Sequence, residues 1–353
     1  MQIDRIDTPA LVIDRDKLEK NMLTMQRLTE EKGISLRPHY KSHKCAELAR
    51  MQIEMGAVGM TCAKLSEAID LADAGIEDIL IANQIVDKKR IARVAELAKD
   101  CKLTLCVDDA HNVDELSAAA TAAGSEIGVL VEYEIGMKRC GVATHKEVRA
   151  LAEQITRAPG LRFEGLQAYA GHMSHEPDEA VRRKESERSG ADLKRLIEEL
   201  EADGITVRTL SGGSTGTSLI KAEDRLYTEL QAGSYLFMDA TYRHLGLPFL
   251  NSLFILTTVL SVKDGLAVVD AGVKSCGIDQ GMPIPVGFTA ERIEACEEHF
   301  QIFSPDKNFA VGDKVLLMPA HCCSTVNLYD KMYLVKDKKV SARLSVSARG
   351  LSQ

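Results

Sequence analysis

Short apolar runs alternate with amphipathic stretches along the first 245 residues of the chain. Residues 14–31 have the spacing of an amphipathic helix, because their large apolar residues fall on one face: Leu18, Met22, Met25 and Leu28. Eight apolar segments then have the length and composition of strands: 35–40, 58–62, 79–83, 103–107, 127–133, 162–169, 206–211 and 227–231. Helical patterns lie between them, at 64–74, 86–99, 112–123, 146–157 and 178–202.

This alternation predicts the fold class. Eight strands that alternate with helices over about 200 residues are typical of an α/β protein with a (β/α)8 barrel. An open doubly wound sheet is the alternative, but no G-x-G-x-x-G follows the first strand. After about residue 245 the pattern changes to strands separated by glycine-containing turns. That change indicates an additional antiparallel β-domain of about 100 residues.

The composition is that of a folded globular protein. Of the 353 residues, 45% are hydrophobic and 27% are charged, which excludes wholesale disorder. The net charge of −8 makes nucleic acid or an anionic membrane a poor electrostatic partner. No apolar stretch approaches the roughly 18 residues of a membrane span, and the first residues lack the pattern of a signal peptide. The nine cysteines, an odd number, indicate reduced thiols and a cytoplasmic location.

A lysine stands where the chemistry of a barrel is expected. Active sites in barrels lie at the carboxyl ends of the strands. Lys41 follows the first predicted strand and lies between His39 and His43. A lysine that is partly desolvated and close to other cations loses its proton more readily and then acts as an amine nucleophile. The alternative is a solvated loop lysine, which is the usual environment of this residue type.

Segments rich in glycine and hydroxyl groups follow the seventh and eighth strands. In residues 211–217, SGGSTGT, the glycines let the backbone approach an anion, while Ser214 and Thr215 add donors. Gly233 and Ser234 follow the eighth strand, and a phosphate site after strands 7 and 8 recurs in barrels. A flexible loop is the alternative. A lysine and a phosphate site at one rim suggest pyridoxal phosphate, with Arg139 near its phenolic oxygen or in a surface salt bridge.

A histidine and two cysteines stand together in the β-domain, in the segment PAHCCSTVNLYD. On an extended segment His321 and Cys323 project from the same face, and Cys322 projects from the opposite one. Imidazole and thiolate favour a borderline-soft cation such as zinc. Two ligands are too few for a structural zinc, so the pair predicts a catalytic ion with open positions. The alternative is a buried cysteine near a structural histidine.

Together these segments resemble the D-threonine aldolase and D-serine dehydratase family. Members of that family have the alanine-racemase-like fold of fold type III pyridoxal phosphate enzymes. The resemblance runs nearly end to end, through DTPALVID, RPHYKSHK, GLQAY, TELQAGSYLFMD, DAGVKS, HCCSTVNLYD and the closing SARG. It implies a barrel over residues 12–245 and a β-domain of residues 1–11 plus 246–353, because the N-terminal strand joins the β-domain in such proteins. It also implies a homodimer.

The resemblance implies a role for each candidate residue. Lys41 would hold pyridoxal phosphate as a Schiff base, Arg139 would lie near its phenolic oxygen, and Tyr169 would lie beside its ring. The phosphate would be bound by Gly213, Ser214, Thr215, Gly233, Ser234 and Tyr235. His321 and Cys323 match the metal pair of the family, with zinc favoured and manganese or magnesium as alternatives. The catalytic base would be one of three histidines: His39, His43 or His172.

The implied substrate is a D-3-hydroxy amino acid, for which two reactions are open. Retro-aldol cleavage gives glycine and an aldehyde, whereas dehydration of D-serine or D-threo-3-hydroxyaspartate gives a 2-oxo acid and ammonia. The H-x-C pair resembles the dehydratases, since aldolases of the family usually carry H-x-D, but STVNLYD resembles the aldolases. The similarity along the whole chain favours the aldolase. A racemase needs no metal pair, and a non-catalytic pyridoxal phosphate carrier would have no appended β-domain.

Overall fold

The computed structural model describes residues 1–305 and 307–353, and the chain forms two compact units. The barrel unit comprises Gln26–Lys41, Ala49–Gly233 and Leu351–Gln353. The β unit comprises Met1–Met25, Ser42–Leu48 and Ser234–Gly350. Within these described residues, every helix is too short or too polar to span a bilayer. The nine cysteines are all free thiols.

The chain begins with a strand and a long helix. Strand β1 (Ala10–Asp14) belongs to the sheet of the β unit, and helix α1 (Arg15–Lys32) follows it directly. The apolar face predicted for this helix is confirmed, since three of its residues are buried and the fourth is half-buried: Leu18, Met22, Met25 and Leu28, in that order.

Eight parallel strands form the sheet of the barrel unit. They are β2 (Ser35–Leu36), β3 (Met60–Cys62), β4 (Asp78–Ile81), β5 (Lys102–Val107), β6 (Ile127–Glu132), β7 (Leu161–Ala168), β8 (Thr209–Gly212) and β9 (Glu229–Leu230). The order is β2-β9-β8-β7-β6-β5-β4-β3, with every neighbouring pair parallel. A parallel bridge between His39, just after β2, and Thr61 in β3 connects the two ends of this order. The predicted parallel eight-stranded architecture is therefore confirmed.

Helices alternate with these strands, as the hydrophobic pattern predicts. They are α2 (Ala46–Glu54), α3 (Leu65–Asp73), α4 (Lys88–Leu97), α5 (Ala110–Ala123), α6 (His145–Arg157), α7 (Glu179–Ala202) and α8 (Ser218–Asp224). Helix α6 shows which local features of the sequence favour a helix. Thr144 and Glu147 form a capping box at its start, and its buried residues recur at helical spacing: Val148, Leu151, Ala152 and Ile155. All six residues of β6 are buried, as expected for a parallel strand with both faces covered.

A second, mixed and mostly antiparallel sheet forms the β unit. Its remaining elements are β10 (Leu253–Lys263), β11 (Leu266–Val269), β12 (Ile284–Pro285), β13 (Arg292–Cys296), β14 (His299–Phe303), β15 (Lys314–Met318), α9 (Cys322–Val326), β16 (Lys331–Lys336) and β17 (Lys339–Ser345). The order is β13-β14-β11-β10-β1-β16-β17, and β15 pairs with β10 and β12. Only β1 and β16 run parallel among these described pairs. The predicted additional β-domain is confirmed.

Candidate active site

A pocket of about 130 Å³ opens in the barrel unit. Its lining includes residues that follow five different strands: Lys41 after β2, Asn83 after β4, Arg139 after β6, Tyr169 after β7 and Gln231 after β9. The pocket therefore lies at the carboxyl end of the barrel, where barrel active sites are found. His39 lines it as well. Thus the structure brings together four residues predicted from the sequence: His39, Lys41, Arg139 and Tyr169.

Two cations share the ring of Tyr169 in this pocket. The Lys41 ammonium lies 5.7 Å from the centroid of the ring, and the Arg139 guanidinium lies 5.8 Å from it. Lys41 belongs to a 3-10 turn, and its backbone N–H donates a hydrogen bond to Nδ1 of His39 at 3.3 Å. An amine and a guanidinium held near one aromatic ring make the pocket positively charged, which suits an anionic aromatic ligand.

Arg139 is oriented by a buried carboxylate. Nη2 of Arg139 lies 3.9 Å from Oε1 of Glu132, the last residue of β6, whose side chain is 8% exposed. Burial raises the pKa of Glu132, whereas the hydrogen bond from Gln84 and the charge of Arg139 act in the opposite direction. Nε2 of Gln84 donates to Oε2 of Glu132 at 2.6 Å. The guanidinium therefore has a fixed acidic neighbour while half of its own side chain is exposed.

Two glutamines connect the pocket to a polar network inside the barrel. Nε2 of Gln231 donates to Oε1 of Gln167 at 2.6 Å and to Oγ of Ser211 at 2.7 Å. The Ser211 hydroxyl donates to Glu229 at 2.6 Å, and Glu229 accepts from Nε of Arg37 at 2.9 Å. All five side chains are buried and hydrogen-bonded, so the amides that line the pocket are held in one orientation. Neither glutamine is among the site residues predicted from the sequence, because a glutamine near the end of a strand carries no chemical signature of its own.

The glycine-rich segment that begins at the end of β8 is a packed turn. A Cβ on Gly212 would collide with the carbonyl oxygen of Ala168, and Gly213 has a φ of +74°, so both positions favour glycine. The backbone N–H of Ser214 donates to Oγ1 of Thr217 at 3.0 Å. Ser214, Thr215 and Thr217 are all buried. A short turn with buried hydroxyl groups fits an anion-binding role.

The other predicted phosphate residues, 233–235, stand where the sequence passes from the barrel unit to the β unit. Gly233 is the last residue of a stretch that belongs to the barrel unit. Ser234 and Tyr235 begin a 3-10 turn in the β unit, and both are buried. The structure therefore groups Gly213, Ser214 and Thr215 in one turn of the barrel unit, whereas it assigns Ser234 and Tyr235 to the β unit.

The three candidate bases have different surroundings. His39 lines the pocket together with Lys41. His43 belongs to the β unit, is completely buried, and accepts a hydrogen bond from the backbone N–H of Cys45 at 3.3 Å. His172 lies in a 3-10 turn after β7, with Nε2 3.8 Å from Oε1 of Glu185. His39 is thus the only one of the three that lines this pocket within the described residues.

His321 and Cys323 lie at the start of a helical turn in the β unit. The sequence predicted an extended segment here, and this prediction is wrong. Cys322–Val326 forms helix α9, and His321 is its N-cap residue. Nδ1 of His321 lies 2.6 Å from Oδ2 of Asp279, and the other oxygen of Asp279 accepts from the Ser324 hydroxyl at 2.6 Å. Burial lowers the pKa of His321, but Cys323 and Asp279 outweigh burial and raise it to about 9. A cation bound by this imidazole would displace a proton.

The donor atoms of this turn fit an open metal site, although there are few of them. Among the described residues, no group of three or more His, Cys, Asp or Glu side chains has the geometry of a metal cluster. One imidazole and one thiol are present and interact with each other, and Asp279 contacts Nδ1 of the imidazole. Asp279 is not among the residues predicted from the sequence, because it lies 42 positions before His321 in the chain.

Two family models together match nearly the whole barrel and much of the β-domain. The model described as "Alanine racemase, N-terminal domain" matches residues 13–241. The model described as "Putative serine dehydratase domain" matches residues 252–335.

Known relatives include both aldolases and dehydratases. The chain is 38% identical to a 3-hydroxy-D-aspartate aldolase of Paracoccus denitrificans, over 99% of this chain and 94% of that protein. The crystal structure of a D-threonine aldolase from Filomicrobium marinum has a TM-score of 0.97 and 37% identity, covering 99% of this chain and 98% of that one. A D-threo-3-hydroxyaspartate dehydratase of Delftia sp. is more distant, with 30% identity over 91% of this chain and 92% of that protein. A mutant of such a dehydratase, solved in a metal-free form, has 26% identity and a TM-score of 0.89, covering 98% of each chain.

Proposed function

Since the chain belongs to the alanine-racemase-like family of pyridoxal phosphate proteins, we propose that it cleaves a D-3-hydroxy amino acid into glycine and an aldehyde. The observation that carries this proposal is the pocket in which the Lys41 amine and the Arg139 guanidinium face one tyrosine ring. Homologues at 37–38% identity over the full chain are aldolases, that is, carbon–carbon lyases. The proposed division into a barrel over 12–245 and a β-domain is supported by family models that end at residue 241 and begin at residue 252.

The residues of the barrel unit fit pyridoxal phosphate. Lys41 is proposed to hold the aldehyde, Arg139 to bind the phenolic oxygen, and Tyr169 to pack against the ring. The bound cofactor would withdraw electrons from the α-carbon of the substrate. The turn after β8 supports a phosphate site, because it combines a positive φ at Gly213 with buried hydroxyl groups. The proposed phosphate residues are Gly213, Ser214, Thr215, Gly233, Ser234 and Tyr235.

Cleavage requires that the 3-hydroxyl group lose its proton while the bond between the α- and β-carbons breaks. The electron pair of the O–H bond becomes the carbonyl bond of the aldehyde, and the α-carbon later takes up a proton to give glycine. We propose His39 as the residue that accepts the hydroxyl proton, because it lines the pocket beside Lys41; the proton would go to Nδ1, replacing the 3.3 Å hydrogen bond from the backbone N–H of Lys41. His172, paired with Glu185, and His43, buried in the β unit, are less well placed by their contacts.

A divalent metal is proposed at His321 and Cys323. It would act as a Lewis acid on the substrate hydroxyl. Zinc is favoured by one imidazole and one thiolate, with manganese or magnesium as alternatives. The contact between Asp279 and Nδ1 of His321 supports this assignment, because metal-binding histidines usually donate their second N–H to a carboxylate.

Dehydration is the second candidate reaction, and the thiol at position 323 favours it. Holoenzyme supplied with zinc or manganese should convert D-threonine to glycine and acetaldehyde if the aldolase proposal holds. Ammonia and 2-oxobutyrate, without glycine, would overturn it in favour of a dehydratase. Absence of any product from D-threonine, D-serine and 3-hydroxy-D-aspartate would indicate a pyridoxal phosphate carrier. The same assay after chelation measures the need for the metal.

We also propose that the protein is a homodimer and works in the cytoplasm. Nine free thiols support a reducing compartment. Light scattering of the purified protein measures its mass, and a value near that of a single 38.6 kDa chain would contradict the dimer.

A further inference from the structure

A buried lysine stands directly behind the glycine-rich turn of the barrel unit. Lys221 belongs to α8, which begins right after the turn, and it is only 2% exposed. Its Nζ atom is buried and has no hydrogen-bond partner among the residues that the structure describes. Charged groups are almost never buried without a partner, because removing a charge from water is costly. Among the described residues the ammonium lies over the ring of Tyr227 and feels the charges of two carboxylates, but it has no hydrogen-bond acceptor.

The side chain of Lys221 runs alongside the glycines of the turn. A Cβ placed on Gly213 would lie 3.8 Å from Cγ of Lys221. Nζ lies 4.8 Å from the centroid of the Tyr227 ring, and this ring in turn packs against Gly212. The aliphatic part of the lysine packs beside Gly213 and the tyrosine ring beside Gly212, so the residue that carries the buried ammonium adjoins the turn proposed to approach an anion.

The carboxylates near Lys221 are already engaged with other groups. Asp224 and Glu185 are the acidic residues whose charges act on the ammonium. Asp224 accepts a hydrogen bond from the Ser186 hydroxyl at 3.0 Å, and Glu185 accepts from Arg188 at 2.6 and 2.9 Å. Neither is hydrogen-bonded to Lys221, although the charges of both act to raise the pKa of the amine against the effect of burial.

We propose that Lys221 is a phosphate-recognition residue, whose ammonium supplies the positive charge that stabilises a phosphate monoester bound at the Gly213–Thr215 turn. This inference rests on the proposed function, because the phosphate monoester is that of pyridoxal phosphate. Backbone N–H groups and hydroxyls give a phosphate hydrogen bonds but no net charge, and a dianion next to a buried cation gains electrostatic energy that increases as water is excluded. Burial lowers the pKa of Lys221 to about 8, so most of the amine is still protonated at neutral pH.

The test compares two ligands that differ only in the phosphate group. Apoprotein is titrated with pyridoxal phosphate and with pyridoxal, and binding is followed by absorbance. Lys221→Met and Lys221→Gln remove the charge, whereas Lys184→Met removes an exposed lysine from neighbouring α7 as the matched control. The two Lys221 variants should bind pyridoxal phosphate at least about tenfold more weakly than the wild type and bind pyridoxal equally well. Lys184→Met should change neither affinity.

Inorganic phosphate provides a second measurement that needs no aldehyde chemistry. It should raise the Tm of wild-type apoprotein and of Lys184→Met, but not that of the Lys221 variants. Wild-type affinity for pyridoxal phosphate in both Lys221 variants would overturn the inference and leave the proposed function intact. An equal loss for both ligands would also overturn it, since that pattern belongs to a structural role. If wild-type protein bound neither ligand, the proposed function itself would fail.

Discussion

Arg37 forms a buried double ion pair that should be essential for the stability of the barrel unit. Its Nε atom donates to both oxygens of Glu229 at 2.9 Å, and its Nη1 atom donates to Oδ1 of Asp78 at 2.7 Å. The side chains of Arg37 and Glu229 are 9% and 7% exposed. Replacing Arg37 by Met would leave the Glu229 carboxylate buried without a cation. Breaking such a pair from one side costs about 3–5 kcal/mol.

The double variant Arg37→Met, Glu229→Gln separates the ion pair from simple packing. Because the carboxylate is removed with its partner, we expect the double variant to recover at least about 1–2 kcal/mol relative to Arg37→Met. Arg149→Met is the matched control, since Arg149 pairs with Asp203 at 2.8 Å while both side chains are about 40% exposed. Loss of that surface pair should cost no more than about 1 kcal/mol.

Urea denaturation followed by far-UV circular dichroism measures these differences, because the chain contains no tryptophan for fluorescence. An Arg37→Met variant as stable as Arg149→Met would refute the argument. So would a double variant no more stable than Arg37→Met, because removing the carboxylate would then relieve nothing. Glu229 also accepts the hydroxyl of Ser211, which is hydrogen-bonded to Gln231 in the pocket, so Arg37→Met should weaken pyridoxal phosphate binding as well.

Three further predictions address the site and its charges. Lys41→Ala should abolish the visible absorbance of the holoprotein and its activity, because no other described residue lining the pocket carries an amine; full activity would refute the cofactor assignment. Asp279→Asn should lower zinc or cobalt affinity by about 10–100-fold in equilibrium dialysis, because His321 loses the carboxylate that orients its ring; unchanged affinity would contradict a metal at that histidine. The lowered pKa of Lys221 predicts that apoprotein stability rises between pH 8 and pH 10.5 by up to about 3 kcal/mol, since the unfolded chain then binds the proton more tightly than the folded one. In urea titrations Lys221→Met should lack this rise. If the variant and the wild type had the same dependence of stability on pH, the burial of a charged amine at position 221 would be contradicted.

The type and order of the elements could be predicted from the sequence, because they depend on neighbours along the chain. The helical spacing of residues 14–31 corresponds to α1, and the apolar run at 127–133 corresponds to the fully buried β6. The change to strands and turns after residue 245 likewise corresponds to strands β10 to β17 of the β unit. Residues at the carboxyl ends of barrel strands converge in this fold class, so strand assignment alone placed Lys41, Arg139 and Tyr169 on one rim.

Contacts between distant segments were decided only by the tertiary structure. Asp279 reaches His321 across 42 residues, and Gln231 reaches Gln167 across 64. Neither pair can be recognised from the hydrophobic period of the sequence. That period shows on which face of a helix or strand a residue lies, but not which distant residue it contacts. The burial of Lys221 was equally invisible, since an isolated lysine in a short helix is solvated in most proteins. Its position behind the glycine turn follows from how α8 packs, and that packing buries an ammonium that has no hydrogen-bond partner among the described residues.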